Sequence, residues 1–283
     1  MRKAVGITVA AAAVGALAGL GAWLWRRFGP GTYARFDTMF GKARVYHVLD
    51  DAGRPVRLLE VGGIVHSGTY IDERYTDLVF EYLKRYDLMF EGGHPIRHVL
   101  VLGCGGYDYP EHLVAHHPEV AVDAVEIDPA ITAIARQYFF LDRVIEEYET
   151  DQTGRLNLIC DDALEFLTSS DKRYDAIVND TFDAGTPPAH LTTPAFAVTV
   201  RDHLAPGGLY LTNVVSALEG PGSSFLHEQT TMLESVFGNR NVRVIPCATD
   251  TLAEADNVIV VASRPAQEGV SDSAGAIPDL HIG

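Results

Sequence analysis

Acidic side chains follow three apolar, strand-like stretches of this sequence, and a glycine-rich turn follows a fourth. The turn is Gly103-Cys-Gly-Gly106, and the carboxylates are Glu126, Asp162 and Asp180. Glycines in such a turn let the backbone approach a nucleotide closely at the start of a helix. Open α/β sheets bind ligands at the carboxyl ends of their strands. The pattern therefore predicts a nucleoside-binding cleft lined by carboxylates.

Each carboxylate suits a different chemical task. Glu126 follows the turn by about 20 residues, where an acidic side chain accepts hydrogen bonds from ribose hydroxyls, and Asp128 is expected to cap the following helix. The alternative is that both carboxylates serve only as caps. Asp162 could accept from an exocyclic amine such as that of adenine, or equally be a helix N-cap. Asp180 could take the proton that an amine loses before it attacks an alkyl donor. We take Asp180 as the candidate catalytic base, and the candidate cofactor-binding residues are Gly103, Gly105, Gly106, Glu126 and Asp162.

Strand and helix signals alternate from His98 onward. This alternation predicts an α/β, Rossmann-like fold with a mostly parallel sheet covered on both faces. Predicted strands lie at 98–103, 121–128, 156–160, 174–180, 209–215, 242–248 and 257–263, and predicted helices at 111–117, 129–139, 163–167, 194–204 and 224–237.

A smaller β-rich region precedes this alternation. Alternating apolar residues and turn signals predict a short antiparallel unit, followed by a helix over 73–86 with apolar residues at helical spacing. The expected organisation is an anchor at 1–27, an irregular linker at 28–41, a small β domain at 42–70, the cofactor domain at 71–264 and a disordered tail at 265–283.

The first residues form a long apolar run. From Ala4 to Trp25 no charged side chain occurs, and as a helix of about 33 Å the run would cross a bilayer. This predicts a single-pass transmembrane helix and the membrane as a partner. A cleaved signal peptide, with a cleavage site near Ala18, is the alternative. Basic residues slightly favour the C-terminal side of the run, which predicts a cytoplasmic catalytic domain.

The overall charge restricts the class of partner. The chain has 38 acidic and 22 basic side chains, a net charge of −16. Such a surface repels nucleic-acid phosphates and attracts cationic substrates. The three cysteines match no zinc or disulfide spacing, so we expect no metal site and a reducing compartment.

The stretch from Arg57 to Val215 resembles the spermidine/spermine synthase family of aminopropyltransferases. The resemblance implies a β-domain before a class I methyltransferase-like fold, decarboxylated S-adenosylmethionine as co-substrate, and a small polyamine as acceptor. It is carried by Leu58–His66, Ile71–Tyr75, Val99–Gly106, Glu126–Asp128, Asp161–Ala163 and the Asp180-Thr-Phe-Asp183 signature.

The same resemblance implies a set of substrate-binding residues. Tyr75 matches a tyrosine that lines the polyamine site, Asp183 matches the second aspartate of the signature, and His66 stands where glutamine is usual. Gly106 occupies the place of an aspartate that holds the substrates' amino groups in the family. The nearest carboxylate is Asp108, which is the candidate replacement.

Three functions remain open from the sequence. The first is aminopropyl transfer to a small cationic amine. The second is S-adenosylmethionine-dependent methyl transfer, which the glycine at position 106 favours because an aspartate there would repel a cofactor that keeps its carboxylate. The third is a catalytically silent, membrane-tethered binding domain. One candidate assembly of the protein is a homodimer.

Overall fold

Short apolar runs and amphipathic helices alternate along the chain, and they fold into two sheets with helices on the larger one. The computed structural model describes residues 32–182, 187–247 and 252–266. The strands are β1 Thr32–Thr38, β2 Gly41–Leu49, β3 Pro55–Val61, β4 Ile64–Tyr70, β5 His98–Leu102, β6 Ala121–Glu126, β7 Leu156–Cys160, β8 Tyr174–Asn179, β9 Leu204–Ser216, β10 Val242–Pro246 and β11 Asp256–Ser263.

Eight α-helices are found in the described ranges, most of them between strands of the larger sheet. The α-helices are α1 Glu81–Arg85, α2 Asp108–His116, α3 Pro129–Tyr138, α4 Leu141–Glu147, α5 Thr150–Thr153, α6 Ala163–Ser169, α7 Pro194–His203 and α8 Ser224–Phe237. Short 3-10 helices lie at Tyr86–Phe90, Ala189–Thr192, Pro221–Ser223 and Asn239–Asn241.

The larger sheet has the strand order β10-β11-β9-β8-β5-β6-β7. Strands β9, β8, β5, β6 and β7 are parallel, and only β11 runs antiparallel to its neighbours β9 and β10. The chain moves outward in one direction from β5 to β6 and in the other direction to β8, which creates a crevice at the carboxyl ends of these strands. The predicted α/β Rossmann-like fold with a mostly parallel sheet is confirmed.

The central strands are buried on both faces. Val99, Leu100, Val101 and Leu102 of β5 are each at most 2% exposed. One apolar cluster joins β5 to α2, α3, α4 and the N-terminal sheet, and a second joins it to α6, α7 and α8. Two covered faces explain why the strand is a continuous apolar run and not an alternating one.

The N-terminal antiparallel sheet has the order β1-β2-β3-β4 and begins earlier than the sequence predicts. The expectation of an irregular linker over 28–41 is wrong at β1, where Ala34 and Phe36 pack against the core and Arg35 and Asp37 are exposed. An alternation of this kind has the period of a strand. In the sequence, the neighbouring glycines make this strand resemble an irregular linker. Residues 28–31 lie outside the described residues.

The helix predicted over 73–86 is also corrected, because α1 begins only at Glu81. Residues before it form turns: the Asp72 carboxylate accepts from the Arg74 N–H at 3.0 Å, and the Asp77 N–H donates to the Arg74 carbonyl at 2.8 Å. Such local hydrogen bonds from an aspartate compete with helix formation. Helices α4 and α5 were not predicted.

The prediction of a single-pass membrane protein with a cytoplasmic catalytic domain is contradicted. None of the helices in the described ranges is long and apolar enough to cross a bilayer. The longest of them, α8, has 14 residues, which as a helix is about 21 Å long against an apolar bilayer core of about 30 Å. The proposed anchor at 1–27 and the proposed tail beyond residue 266 lie outside the described residues.

Asp128 joins the small sheet to the large one. Its Oδ1 accepts from the Ala130 N–H at 2.8 Å, and its Oδ2 accepts from the Met39 N–H at 2.6 Å. The first contact makes it the N-cap of α3, so the capping role predicted for Asp128 is confirmed. The second contact fixes the β1–β2 turn at the start of that helix.

Candidate active site

Two adjoining cavities open at the carboxyl ends of β5, β6 and β8. The larger has a volume of about 510 Å³ and the smaller about 360 Å³. They share five lining residues, which are His66, Gly103, Gly105, Asp180 and Phe182. Volumes of this size suit small-molecule ligands, and the shared wall makes the two cavities halves of one cleft.

The glycine-rich turn lies at the junction of the two halves. Gly103 has φ +77°, and a Cβ there would lie 2.7 Å from the Asp180 carbonyl oxygen; Gly105 has φ +51°, and a Cβ would lie 2.6 Å from Ser67 Oγ. A side chain at either position would meet both a strained backbone and a collision. Glycine is therefore required for the turn to pack between β8 and β4.

Glu126 lies at the tip of β6 and lines the smaller cavity. Its Oε2 accepts from the Cys104 N–H at 3.0 Å, and its Oε1 accepts from the Asp128 N–H at 2.9 Å. Burial raises the pKa of this carboxyl above its ordinary value, although these backbone donors oppose the shift. Each carboxylate oxygen has a second lone pair, so Glu126 can hold the glycine turn and still accept from a hydroxyl.

Asp162 lies on the other side of the smaller cavity and is the N-cap of α6. Its Oδ1 accepts from the N–H groups of Leu164 at 2.8 Å and Glu165 at 3.2 Å, and its Oδ2 lies 3.0 Å from His190 Nε2. Burial opposes ionisation, but the hydrogen bonds from His190 and the helix hold the pKa of Asp162 below its ordinary value. The capping alternative is therefore present in the structure, and an adenine amine would share Oδ2 with His190.

Asp180 follows β8 and contacts both cavities. Its Oδ1 accepts from Asn213 Nδ2 at 3.0 Å, and its Oδ2 accepts from the Tyr82 hydroxyl at 3.1 Å. Burial raises the pKa of Asp180 to about 6 in spite of these donors. The carboxylate is thus fixed in orientation and more basic than an exposed aspartate, as a general base at neutral pH requires.

Asp108 turns into the larger cavity from the first turn of α2. Its Oδ2 accepts from the Gly68 N–H of β4 at 2.9 Å. Burial, together with the nearby charge of Asp180, raises the pKa of Asp108 to about 7. At position 106, in contrast, a Cβ would lie 2.9 Å from both Phe139 and Ser67. The loop therefore excludes a side chain at Gly106 and supplies its carboxylate two residues later.

Three residues of the larger cavity were missed by sequence reasoning, namely Tyr82, Tyr86 and Asn213. Asn213 Oδ1 is buried and has no hydrogen-bond partner among the described residues, and the buried Tyr86 hydroxyl helps to oppose the rise in the pKa of Asp180. Asn213 could have been noticed as an amide inside the apolar run 209–215. The two tyrosines are four positions apart, as on one face of a helix, and nothing local in the sequence shows that they face a carboxylate.

The remaining predicted residues are placed as follows. His66 lines both cavities, and burial holds its pKa below the ordinary value. Tyr75 lines neither cavity: its hydroxyl donates to Glu147 Oε2 at 2.6 Å, and Arg143 lies 4.1 Å over its ring. Asp183 lies outside the described residues.

The cleft is acidic. Among the described residues that line it there is no lysine or arginine, so its charged groups are carboxylates and its histidines are His66 and His190. The carboxylates are Glu81, Asp108, Asp180 and Asp256 in the larger cavity and Glu126, Asp161, Asp162 and Asp180 in the smaller. Such a cleft favours cationic ligands over anionic ones.

Several known proteins are similar in sequence to parts of this chain. A probable polyamine aminopropyl transferase of Bifidobacterium longum is 32% identical over 50% of this chain and 29% of its own length. A polyamine aminopropyltransferase of Vibrio vulnificus is 28% identical over 63% of this chain and 55% of its own length. An eEF1A lysine and N-terminal methyltransferase homolog of Drosophila melanogaster is 30% identical over 43% of this chain and 19% of its own length. The chain thus spans about half or less of these relatives.

Solved structures agree with the fold. A probable spermidine synthase from Corynebacterium glutamicum matches with a TM-score of 0.66 and 20% identity, over 81% of this chain and 79% of that one. The family model described as the spermine/spermidine synthase domain matches residues 81–266, which is more than half of the 283 residues. With its Rossmann-like sheet and its N-terminal antiparallel sheet, the chain belongs to the spermine/spermidine synthase family.

Proposed function

We propose that this protein transfers the aminopropyl group of decarboxylated S-adenosylmethionine to a small cationic amine. The observation that carries the proposal is the division of one acidic cleft into two halves. The smaller half offers Glu126 and Asp162 to a nucleoside, and the larger half offers Asp108 and Asp180 to amines. The membership of the chain in the family supports the same reaction.

The charge of the cleft favours the decarboxylated co-substrate. S-adenosylmethionine carries an α-carboxylate, which a binding site must balance with cations or hydrogen-bond donors. The described lining of the larger cavity supplies the Asp108 and Asp180 carboxyls and no lysine or arginine. The decarboxylated form keeps its ammonium and sulfonium charges and lacks the carboxylate, so it is attracted where the parent compound is partly repelled.

In the proposed reaction the acceptor enters the larger cavity as an ammonium ion. Asp180 takes one proton, because its pKa of about 6 leaves it ionised at neutral pH. The neutral nitrogen then attacks the aminopropyl carbon bonded to the sulfonium. A C–N bond forms, the C–S bond breaks with its electron pair moving to sulfur, and methylthioadenosine leaves. Tyr82 and Asn213 hold the Asp180 carboxylate in place.

Another group of the larger cavity can accept a hydrogen bond from the remaining N–H groups of the bound amine. Asn213 Oδ1 is a buried acceptor with no partner among the described residues, and a buried acceptor left unpaired is costly. An amine bound beside Asp180 would satisfy it. Asp108 and His66 complete the wall around it. Asp183 remains a predicted substrate-binding residue on the resemblance alone, whereas the hydroxyl of Tyr75 is directed to Glu147 and Tyr75 lines neither cavity.

The test is an assay of methylthioadenosine release with decarboxylated S-adenosylmethionine and a panel of diamines. Asp180→Asn removes the base and is expected to lower kcat by about 100- to 10,000-fold. Asp171→Asn, at an exposed position before β8, is the matched control and should retain activity. No methylthioadenosine with any amine, or full activity of Asp180→Asn, would overturn the proposal.

Methyl transfer is the second candidate, and the similarity to the eEF1A methyltransferase homolog favours it. Calorimetry separates the two, because a methyltransferase must bind S-adenosylmethionine at least as tightly as the decarboxylated compound. Tighter binding of the parent cofactor, with methyl transfer to an acceptor, would replace the first proposal. A domain that turns over neither cofactor would be the silent binding protein.

A further inference from the structure

A second group of chemically competent side chains lies away from the reaction cleft. Asp87 of the 3-10 helix Tyr86–Phe90 meets His112 of α2 and His117 just beyond it. One donor atom of each residue lies within 4.8 Å of the others. No other group of three histidine, cysteine or carboxylate donors meets this spacing in the ranges 32–182, 187–247 and 252–266.

The hydrogen-bonding partners of His112 point to a cation between these residues. Its Nδ1 lies 3.2 Å from the Thr76 carbonyl oxygen, and its Nε2 lies 3.1 Å from Asp87 Oδ2. Both partners only accept, so Nδ1 carries the proton that it donates to Thr76. Nε2 is then the ring nitrogen that faces Asp87 Oδ2, and it either donates a second proton to this carboxylate or shares a metal ion with it. The second arrangement is that of metal sites in which the other ring nitrogen of the ligand donates to a backbone carbonyl.

The other two donors are also held in place. Asp87 Oδ1 accepts from the Tyr109 hydroxyl at 3.1 Å, which leaves its Oδ2 toward His112. The His117 ring stacks on Phe90 with centroids 3.7 Å apart and planes 6° apart. The three side chains are between 13% and 35% exposed. An ion could therefore enter from solvent and keep a water ligand.

We propose that Asp87, His112 and His117 form a binding site for a divalent transition-metal ion of the zinc class. Two imidazoles and one carboxylate are the donors that zinc prefers, whereas magnesium and calcium prefer oxygen alone. Water completes the coordination. The proposal does not depend on the proposed reaction.

The location gives the ion a structural role. Tyr109, which donates to Asp87, also lines the larger cavity and packs edge-on against Tyr86 at 5.1 Å. The ion would join the 3-10 helix Tyr86–Phe90 to the end of α2 on the outer side of this aromatic pair. It would contact no reacting atom, and its loss would loosen the wall of the cavity.

The test uses the full chain freed of metal with a chelator and titrated with Zn²⁺ by calorimetry, and with Co²⁺ by visible absorption. We expect one equivalent to bind and to raise Tm. Asp87→Asn and His117→Gln are close in size to the parent side chains but each remove a ligand. Zn²⁺ binding should therefore weaken by at least about 10- to 100-fold, the effect that loss of a ligand's hydrogen-bonding partner causes. They should also abolish the Co²⁺ bands.

The matched control is His116→Gln. His116 is the neighbouring histidine, with its ring centroid 4.5 Å from that of His112, but it pairs with Asp77 and lies outside the group. This variant should bind Zn²⁺ as the parent does. Circular dichroism of each variant shows whether it is folded. Absence of stoichiometric binding, or equal affinity in the parent, Asp87→Asn and His117→Gln, would overturn the site and leave an Asp87–His112 ion pair.

Discussion

At the scale of single residues, Asp180 shows how burial and hydrogen bonds together set the strength of a base. Burial disfavours the charged form and raises its pKa, while Asn213 and Tyr82 donate to the ionised carboxylate and limit the rise to about 6. The result lies within reach of neutral pH, where a base is ionised and still accepts a proton readily.

The pH dependence of the proposed reaction follows from this balance. Below about pH 6 Asp180 is protonated and cannot take the amine's proton, so kcat/KM should fall as the pH decreases through that value. Tyr82→Phe removes a donor that stabilises the ionised form. It should raise the pKa of Asp180 and move the acidic limb upward by about 1 pH unit. The measurement is a pH–rate profile of both proteins.

The control for this prediction is Tyr46→Phe, since Tyr46 lies on β2 with its hydroxyl 3.4 Å from Glu60. Its profile should match that of the parent. An unchanged acidic limb in Tyr82→Phe would show that Asp180 is not the group whose ionisation limits the rate.

At the scale of elements, the connection between β5 and α2 needs the N-terminal sheet. Strand β4 donates the Gly68 N–H to Asp108, and its Ser67 hydroxyl accepts from the Gly106 N–H. The small sheet is therefore part of the larger cavity's wall. Ser67 of this sheet and Phe139, just beyond α3, also occupy the space that a side chain at position 106 would need. This packing explains why glycine stands there and not the aspartate of the family pattern.

Restoring the family's aspartate by Gly106→Asp should impair this protein. The new side chain would displace Phe139 or Ser67 and lower the free energy of unfolding by about 1–3 kcal/mol, as urea denaturation would measure. Asp171→Asn, at an exposed position before β8, is the control and should unfold at the same urea concentration as the parent. A Gly106→Asp protein of parental stability and higher activity would contradict the packing argument.

At the scale of the whole molecule, the net charge of −16 and the carboxylate-lined cleft act on the same substrates. A field of one sign raises the local concentration of oppositely charged ligands and their association rate. Glu81 and Asp256 are exposed and line the larger cavity, where they would attract an incoming polyamine.

This attraction predicts a salt dependence. The kcat/KM for a diamine should fall several-fold between about 0.01 M and 0.15 M salt, as the screening length shortens from about 30 Å to about 8 Å. Replacing both residues, Glu81→Gln with Asp256→Asn, should flatten the dependence. Glu228→Gln, exposed on α8, should not. If kcat/KM of the double variant still falls steeply with salt, residues other than Glu81 and Asp256 cause the salt dependence.

The order of the elements and the residues at the strand tips follow from local patterns in the amino-acid sequence. Hydrophobic period, glycines and caps are local properties, so β7 and α8 were predicted with their observed bounds and Asp128 was identified as a cap. Because parallel strands end at one edge, Glu126, Asp162 and Asp180 could be expected to share a cleft, and they line its two adjoining halves.

The side chains that complete the cleft could not be identified before the fold was known. Tyr82 and Asn213 meet at Asp180 although 131 positions separate them in the chain, and Asp108 accepts from the Gly68 N–H of the distant strand β4. Tyr75 is directed to Glu147 and lies outside both cavities. These orientations depend on packing between segments far apart in sequence, which no local pattern encodes.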